Sequence, residues 1–408
     1  MEAHLTAAGE DFLIDGLSFK PPSNTAAYVQ ETRQVSYFPE SGNRFDPVSS
    51  KVIRFRLADH AFLEASSCKF GFTITNLGNQ NITPLAQPMS MFRRARLFAA
   101  STLGEDRMEL ATEAAVTDRL LEPYRRLDNS SEAHPLGNPF NGDYQVIGAT
   151  KSRRVLVNVP FGVFQNPKWI PLHLCAGGLI LEFELDDALT GFAETANVDF
   201  QITDVKMLAN IHTIDSSLAN SYASHVLRGN PLHLHYNTVV ASRHLVTDRS
   251  FDISLVRGFT RLKAIFAVFV KAGQKKAAVF KSPFAATANT DVDSYNWQIT
   301  IGSRRFPERA ATGVAENYQY FRQAAGTFYG TGSHSIMPDR YRTNLYILGC
   351  NLEKVPDQAS HSGISTKDGS IVQLSVKDSG LDAGDACIIF QIHDSLMSIK
   401  DGSVDVFD

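Results

Sequence analysis

Residues 168–187 read KWIPLHLCAGGLILEFELDD, and their second half constrains the fold more tightly than any other stretch. Leu179, Leu181, Phe183 and Leu185 fall on one side of a period of two, with Glu182, Glu184 and Asp186 on the other. That pattern predicts a strand with one buried face and one wet, acidic face. The same alternation recurs along the chain. Residues 51–59 set Ile53, Phe55 and Leu57 against Arg54 and Arg56, and residues 68–76 set Phe70, Phe72 and Ile74 against Lys69, Thr73 and Thr75. Residues 153–161 and 198–214 continue it, as do SIVQLSVKD (370–378) and ACIIFQIHD (386–394). RLKAIFAVFVK (261–271) is apolar on both faces, as a strand in the middle of a sandwich can be. Asp368-Gly369 and Asp401-Gly402 read as hairpin corners. The chain is expected to be all-β and antiparallel.

Two stretches read as helices, 105–127 and 308–326, each after a strand carrying arginines (92–101 and 297–306). They start about half a chain apart, which suggests a duplicated unit within the 408 residues. The division is expected near 215–222, in the polar stretch DSSLANSY. Three parts follow: an N-terminal arm (1–45), a first β domain (46–218) and a second (219–408). The arm holds six acidic and three basic side chains, adjacent Pro21 and Pro22, and no sustained period. It is expected to stand apart from both β domains, docking on protein through its apolar clusters at Phe12-Leu13-Ile14 and Tyr37-Phe38.

Composition narrows the classes of function. With 43% apolar and 20% charged residues the chain is of ordinary globular type, and a net charge of −4 offers nucleic acid no overall attraction. Cys68, Cys175, Cys350 and Cys387 are scattered, and three lie in strand-like runs, as core thiols do. The N-terminal stretch has neither the basic nor the apolar region of a signal peptide, and no apolar run reaches the length of a membrane helix. The expectation is a soluble chain with reduced thiols, made in a cell's interior.

No active site emerges. His233 and His235 share a face if 233–244 is a strand, but a cupin-type metal site needs a glutamate four or five residues further on, where Val239 and Val240 stand. DVDSYN (291–296) begins like a calcium loop but lacks its glycine, and the closing glutamate position holds Gly302. GTGSHS (330–335) breaks the frame of a nucleophile elbow. Asp186 and Asp187 are neighbours on opposite faces, not a facing acid–base pair. Arg93-Arg94, Arg153-Arg154, Lys275-Lys276 and Arg304-Arg305 read as solvated charge. No catalytic, cofactor-binding or metal residue is assigned, and a structural role is expected.

The order of these features resembles the double jelly-roll major capsid proteins of double-stranded DNA viruses, the compact forms of polinton-like viruses in particular. VLVNVPFGVFQNPKWIPLHLCAGGLILEFELDDA (155–188) resembles the family's segment closing the first roll, and 198–215 the strand that leaves it. WQITIGSRRFPERAATGVAENYQYFRQA (297–324) is similar to its Ile-Gly-Ser strand, aromatic-Pro turn and helix. NLYILGCNLEKVPDQASHSGISTKDGSIVQLSVKD (344–378) and QIHDSLMSIKDGSVDV (391–406) resemble its closing elements. The likeness spans about 50–408. It implies two tandem eight-stranded antiparallel jelly rolls, each with a flanking helix, and no catalytic residues or cofactor. It further implies a homotrimer of pseudo-hexagonal outline that meets neighbouring capsomers, penton and minor capsid proteins in an icosahedral virion shell. A cupin- or lectin-like β-sandwich binding protein or enzyme is the alternative. A single-layer RNA-virus capsid protein fits less well, because such proteins commonly carry a basic terminal arm and the arm here is acidic.

Overall fold

The computed structural model of the chain describes residues 28–85, 87–99, 102–117, 146–194, 196–274, 295–326, 336, 338–343, 345–355, 362–400 and 402–408. The alternating segments form the strands that their period requires. In the first half these are β1 (Val29–Tyr37), β2 (Arg44–Phe45), β3 (Val52–Leu57), β4 (Phe62–Asn76), β5 (Phe92–Ala99) and β6 (Thr102–Met108). After a helix over 110–117 (α1) come β7 (Ser152–Asn158), β8 (Trp169–Pro171), β9 (Leu179–Leu185) and β10 (Phe200–Ile214). One sheet runs β1-β10-β4-β7, with β2 and β8 as short additions, and the other runs β3-β9-β5-β6.

The second half begins with α2 (Ser216–Leu227). There follow β11 (Leu232–Leu245), β12 (Phe251–Leu255), β13 (Leu262–Val270), β14 (Asn296–Ile301), β15 (Arg304–Thr312), α3 (Gly313–Ala324), α4 (Pro338–Thr343), β16 (Ile347–Asn351), β17 (Val372–Lys377), β18 (Ala386–Lys400) and β19 (Ser403–Phe407). Its sheets run β11-β18-β13-β16, with β19 on β18, and β12-β17-β14-β15. Counted along each half, the principal strands lie first-eighth-third-sixth in one sheet and second-seventh-fourth-fifth in the other. That order is the jelly roll, it occurs twice, and every pairing is antiparallel.

Each roll closes over an aromatic core. In the first, Phe70 of β4 stacks on Phe183 of β9 with ring centres 4.6 Å apart, and Phe55, Phe72 and Phe92 meet them edge-on or tilted. These rings tie one sheet to the other, and each fully buried aromatic contributes roughly 1.5–3 kcal/mol of apolar burial. In the second roll Trp297 donates to Asn317 of α3 at 2.6 Å, and the hydroxyls of Tyr295 and Tyr346 pair at 2.9 Å. All nine residues of β13 are buried, as its two-sided apolar pattern requires. α3 lies over the neighbouring β16, so close that a Cβ on Gly349 would meet the Phe321 Cα at 3.0 Å.

Three expectations need correction. The chain from 29 onward does not stand apart: β1 pairs with β10 from Val29↔Ile214 to Tyr37↔Met207 and is the first strand of the first roll. Its alternation was hidden because most of its side chains are exposed, so composition carries no apolar period. The polar stretch 215–222, where the division is expected, forms the start of α2 between β10 and β11, capped by Asp215, whose carboxylate accepts from the Ser217 amide at 2.9 Å. The expected helices begin too early. Residues 105–108 belong to β6 and 308–312 to β15, where pairing with the neighbouring strand overrides helical composition. The helices that follow, α1 and α3, each come after the fifth strand of their roll, so the duplication is architectural. The part of the first expected helix beyond residue 117 lies outside the described residues. Finally, Asp368-Gly369 turns the chain between strands that are not neighbours, whereas Lys400↔Ser403 closes a true two-residue hairpin.

The placement of β1 makes a prediction. Removing residues 1–27 should leave a cooperative melting transition within a few degrees of the full chain. Removing 1–40 deletes a whole strand and should abolish that transition or lower it by more than 10 °C, on the order of the shift for several lost kcal/mol. Differential scanning calorimetry of the two truncations separates these outcomes.

Candidate functional site

The most elaborate polar arrangement lies where the rolls meet. Period two puts Glu105 and Arg107 of β6 on one face, and that face is turned toward β11 of the second roll. The Glu105 side chain is 0% exposed and that of Arg107 4%. Glu105 accepts from the amides of Gly162 (3.0 Å) and Val163 (2.9 Å) and from the Thr238 hydroxyl of β11 (2.9 Å). Arg107 lies 3.3 Å from Glu105 and donates to Glu113 of α1 at 3.0 Å. Burial pushes the Glu113 carboxyl above the usual carboxylate range, while Arg107 pulls it back. A carboxylate taken out of water survives only when its lone pairs are met, and here both rolls supply donors.

The approach of the rolls is set by a missing side chain. Gly162 faces the backbone of β11, and a Cβ there would sit 1.8 Å from the Asn237 carbonyl oxygen. Apolar packing is continuous with this contact. Leu234, Tyr236, Met397, Ile399 and Val404 of the second roll join the first roll's core, and Ala115 and Val116 of α1 join the second's.

His393 of β18 lies beside the same junction, fully buried, with its ring 4.3 Å from that of Phe259. Ser395 links it to Asp408, which Arg257 holds at 2.5 Å. Burial is the main cause that lowers the His393 pKa to about 4; Asp408 opposes the shift, and Arg257 and Arg107 add to it.

The outer face of the sheet β3-β9-β5-β6 is less wet than expected. Glu182 is buried because arginines of the flanking strands lie over it, and Asp186 is buried as well. Arg96 pairs with Glu182, Arg54 reaches the same carboxylate at 3.6 Å, and Arg93 reaches Glu184 at 3.8 Å. Arg94 makes a two-pronged contact with Asp106, at 2.7 and 2.5 Å. Arg93-Arg94, expected as solvated charge, is therefore spent in a cross-strand ladder, which leaves little free cationic field on this wall.

The other sequence candidates stay dispersed. His233 and His235 share an exposed face of β11, and their carbonyls accept from Lys168 (3.4 Å) and Asn166 (2.6 Å) of the first roll. Among the described residues no three His, Cys, Asp or Glu side chains cluster as metal ligands would. Asp187 is exposed near Lys51 while Asp186 is buried, so the two do not face each other. The GTGSHS stretch, Lys275-Lys276 and most of DVDSYN lie outside the described residues. All four cysteines are free and buried, and burial pushes the thiols of Cys68, Cys175 and Cys350 up to about 12. No described helix is long and apolar enough to cross a membrane. Sequence reasoning missed Glu105, Arg107, Gly162 and His393. The one available signal, Glu-x-Arg at strand spacing, was masked by the helix-forming residues after it.

Solved structures share this fold. The chain matches VP54 of PBCV-1, in a structure fitted into a reconstruction of the virophage Sputnik, with a TM-score of 0.62 at 12% identity, covering 95% of this chain and 98% of that one. The Faustovirus major capsid protein matches with a TM-score of 0.54 at 10% identity, covering 96% and 93%. The Sputnik virophage structure matches with 0.51 at 10% identity, covering 96% and 91%. No protein-family model matches the sequence, and no curated protein matches it. The fold is the double jelly roll of viral major capsid proteins.

Two predictions follow from the junction. Arg107→Met leaves Glu105 buried without its cation and should lower unfolding stability by about 3 kcal/mol or more, and Gly162→Ala by about 1–3 kcal/mol. Arg93→Met on the exposed ladder should change it by less than about 1 kcal/mol. Denaturant midpoints of the three variants test the ranking.

His393 gives a pH dependence. Its pKa is lower in the folded chain than the unfolded value of 6.5, so the unfolded state takes up the proton first. Its contribution is intact above about pH 6.5 and is lost as pH falls toward about 4, a total of about 3 kcal/mol. His393→Gln should flatten the fall in melting temperature across that window, and an unchanged slope would remove His393 as its cause.

Proposed function

We propose that this chain is a major capsid protein, the subunit of an icosahedral virion shell, and that its product is shape rather than catalysis. One observation carries the reading: two jelly rolls, matched over nearly their whole length by viral capsid proteins, are locked side by side through a buried junction. A rigid pair of rolls presents two similar wedges, and three copies around a three-fold axis give six similar corners from one sequence. The homotrimer is the capsomer, and neighbouring capsomers, penton and minor capsid proteins are its partners. His233 and His235 serve as a polar strand face and hold no metal. The arginine ladder, its charge already paired, gives this wall little attraction for nucleic acid.

Expression of the chain alone should give a trimer by mass photometry and closed or sheet-like particles in negative stain at high protein concentration. A species that stays monomeric across a wide concentration range, with no particles in crowded buffer, would overturn the capsid reading.

A further inference from the structure

A groove of about 650 Å³ opens between α2 and the two rolls. Phe62, Trp169, Leu218, Tyr222 and Leu232 are among its walls. Trp169 stacks on His212 at 3.9 Å and Tyr222 leans on Phe62 at 5.9 Å, yet 36% of Trp169 and 39% of Tyr222 stay exposed. Aromatic side chains gathered in one concave, half-open site are the usual lining of a binding groove, and this volume lies in the range of such sites. Its ionisable lining is one-sided: Lys168 and His233 stand among the apolar walls and no carboxylate does.

The chain's own beginning fits this groove. Tyr28, the first described residue and 57% exposed, is itself part of the lining. Upstream the sequence runs Glu10-Asp11-Phe12-Leu13-Ile14-Asp15, an apolar triplet flanked by carboxylates, which complements an apolar groove that carries Lys168 and His233. The fourteen residue steps from Ile14 to Tyr28 reach about 45 Å when extended, enough to return the triplet to any point of a groove that Tyr28 already borders. The same tether raises the effective concentration of the segment at the groove.

We propose that residues 10–15 dock in this groove of their own chain, Phe12, Leu13 and Ile14 against Trp169, Tyr222 and Leu218, with the flanking acids toward Lys168 and His233. This goes beyond the capsid reading and does not rest on it: the docking is a property of the single chain, tested without assembly. It would make the segment a strap across α2, the one helix that joins the rolls.

The test uses the chain lacking residues 1–27, with its fold checked by calorimetry, and a synthetic peptide of residues 8–17. Saturable quenching or blue shift of Trp169 fluorescence is expected on adding the peptide. The response should weaken at least tenfold when Phe12, Leu13 and Ile14 of the peptide are replaced by serine, and severalfold in Lys168→Glu. In the full chain, Leu13→Cys with Leu218→Cys should form a disulfide within one chain, the four native thiols being buried. A Tyr222→Cys partner covers the case in which Leu218→Cys fails to fold. Cross-linked dimers in place of the intrachain product would overturn the assignment to the same chain. Absence of both peptide binding and cross-link would overturn the proposal altogether.

Discussion

The structure depends on one buried carboxylate. Glu105 sits buried in the contact between two rolls whose cores run together through apolar side chains, and its oxygens are claimed by two amides and Arg107 of the first roll and a hydroxyl of the second. Removing an ion from water costs several kcal/mol, and that cost is offset only while all these groups keep their places. The contact is therefore stringent about geometry in a way that apolar packing alone is not. A small rotation of one roll against the other separates Thr238 from Glu105 and drives Asn237 toward Gly162, where there is no room. The relative setting of the rolls is thus held by a penalty on both sides.

For the capsid role proposed above this stringency matters, because a shell subunit works through angles. Small errors in the setting of two walls add up around a closed surface, so a wall must be stiff within itself and fixed against its twin. The aromatic cluster of Phe55, Phe70 and Phe183 answers the first need by binding sheet to sheet within a roll. Glu105, Gly162 and the cores that cross the junction answer the second. On the outside, the Arg–Glu ladder adds little stability pair by pair. Its consequence is electrostatic: arginines that could have bound phosphate are turned to carboxylates on the next strand.

The junction also brings an acid-sensitive group into the most constrained part of the molecule. His393 is uncharged because it has been removed from water next to Phe259, with Arg257 and Arg107 adding to the bias. Proton uptake there would place a cation at the seam between the rolls. Acid therefore acts on stability through a side chain buried at the seam.

Most of the fold was legible in the sequence, because a period of two is a property of neighbouring residues. Leu179 to Leu185, Ile53 to Leu57 and Val155 to Val159 announce both that they are strands and which face is buried. β13 announces by its two-sided apolarity that something must cover it. The doubled architecture was legible too, as two helices at matching places. What remained illegible was decided by partners distant in sequence. β1 is a strand because β10 lies beside it, not because its own residues insist. Residues 105–108 are helix-forming in composition yet extended, since β5 offers them a ladder of hydrogen bonds. Glu182 looks wet until Arg54 and Arg96 arrive from two other strands, and Glu105 looks like one surface acid among many until the second roll closes over it. Local pattern determines which residues alternate and therefore what each segment can become. Burial, charge pairing and close approach belong to pairs of segments, and only the tertiary structure decides which pairs meet.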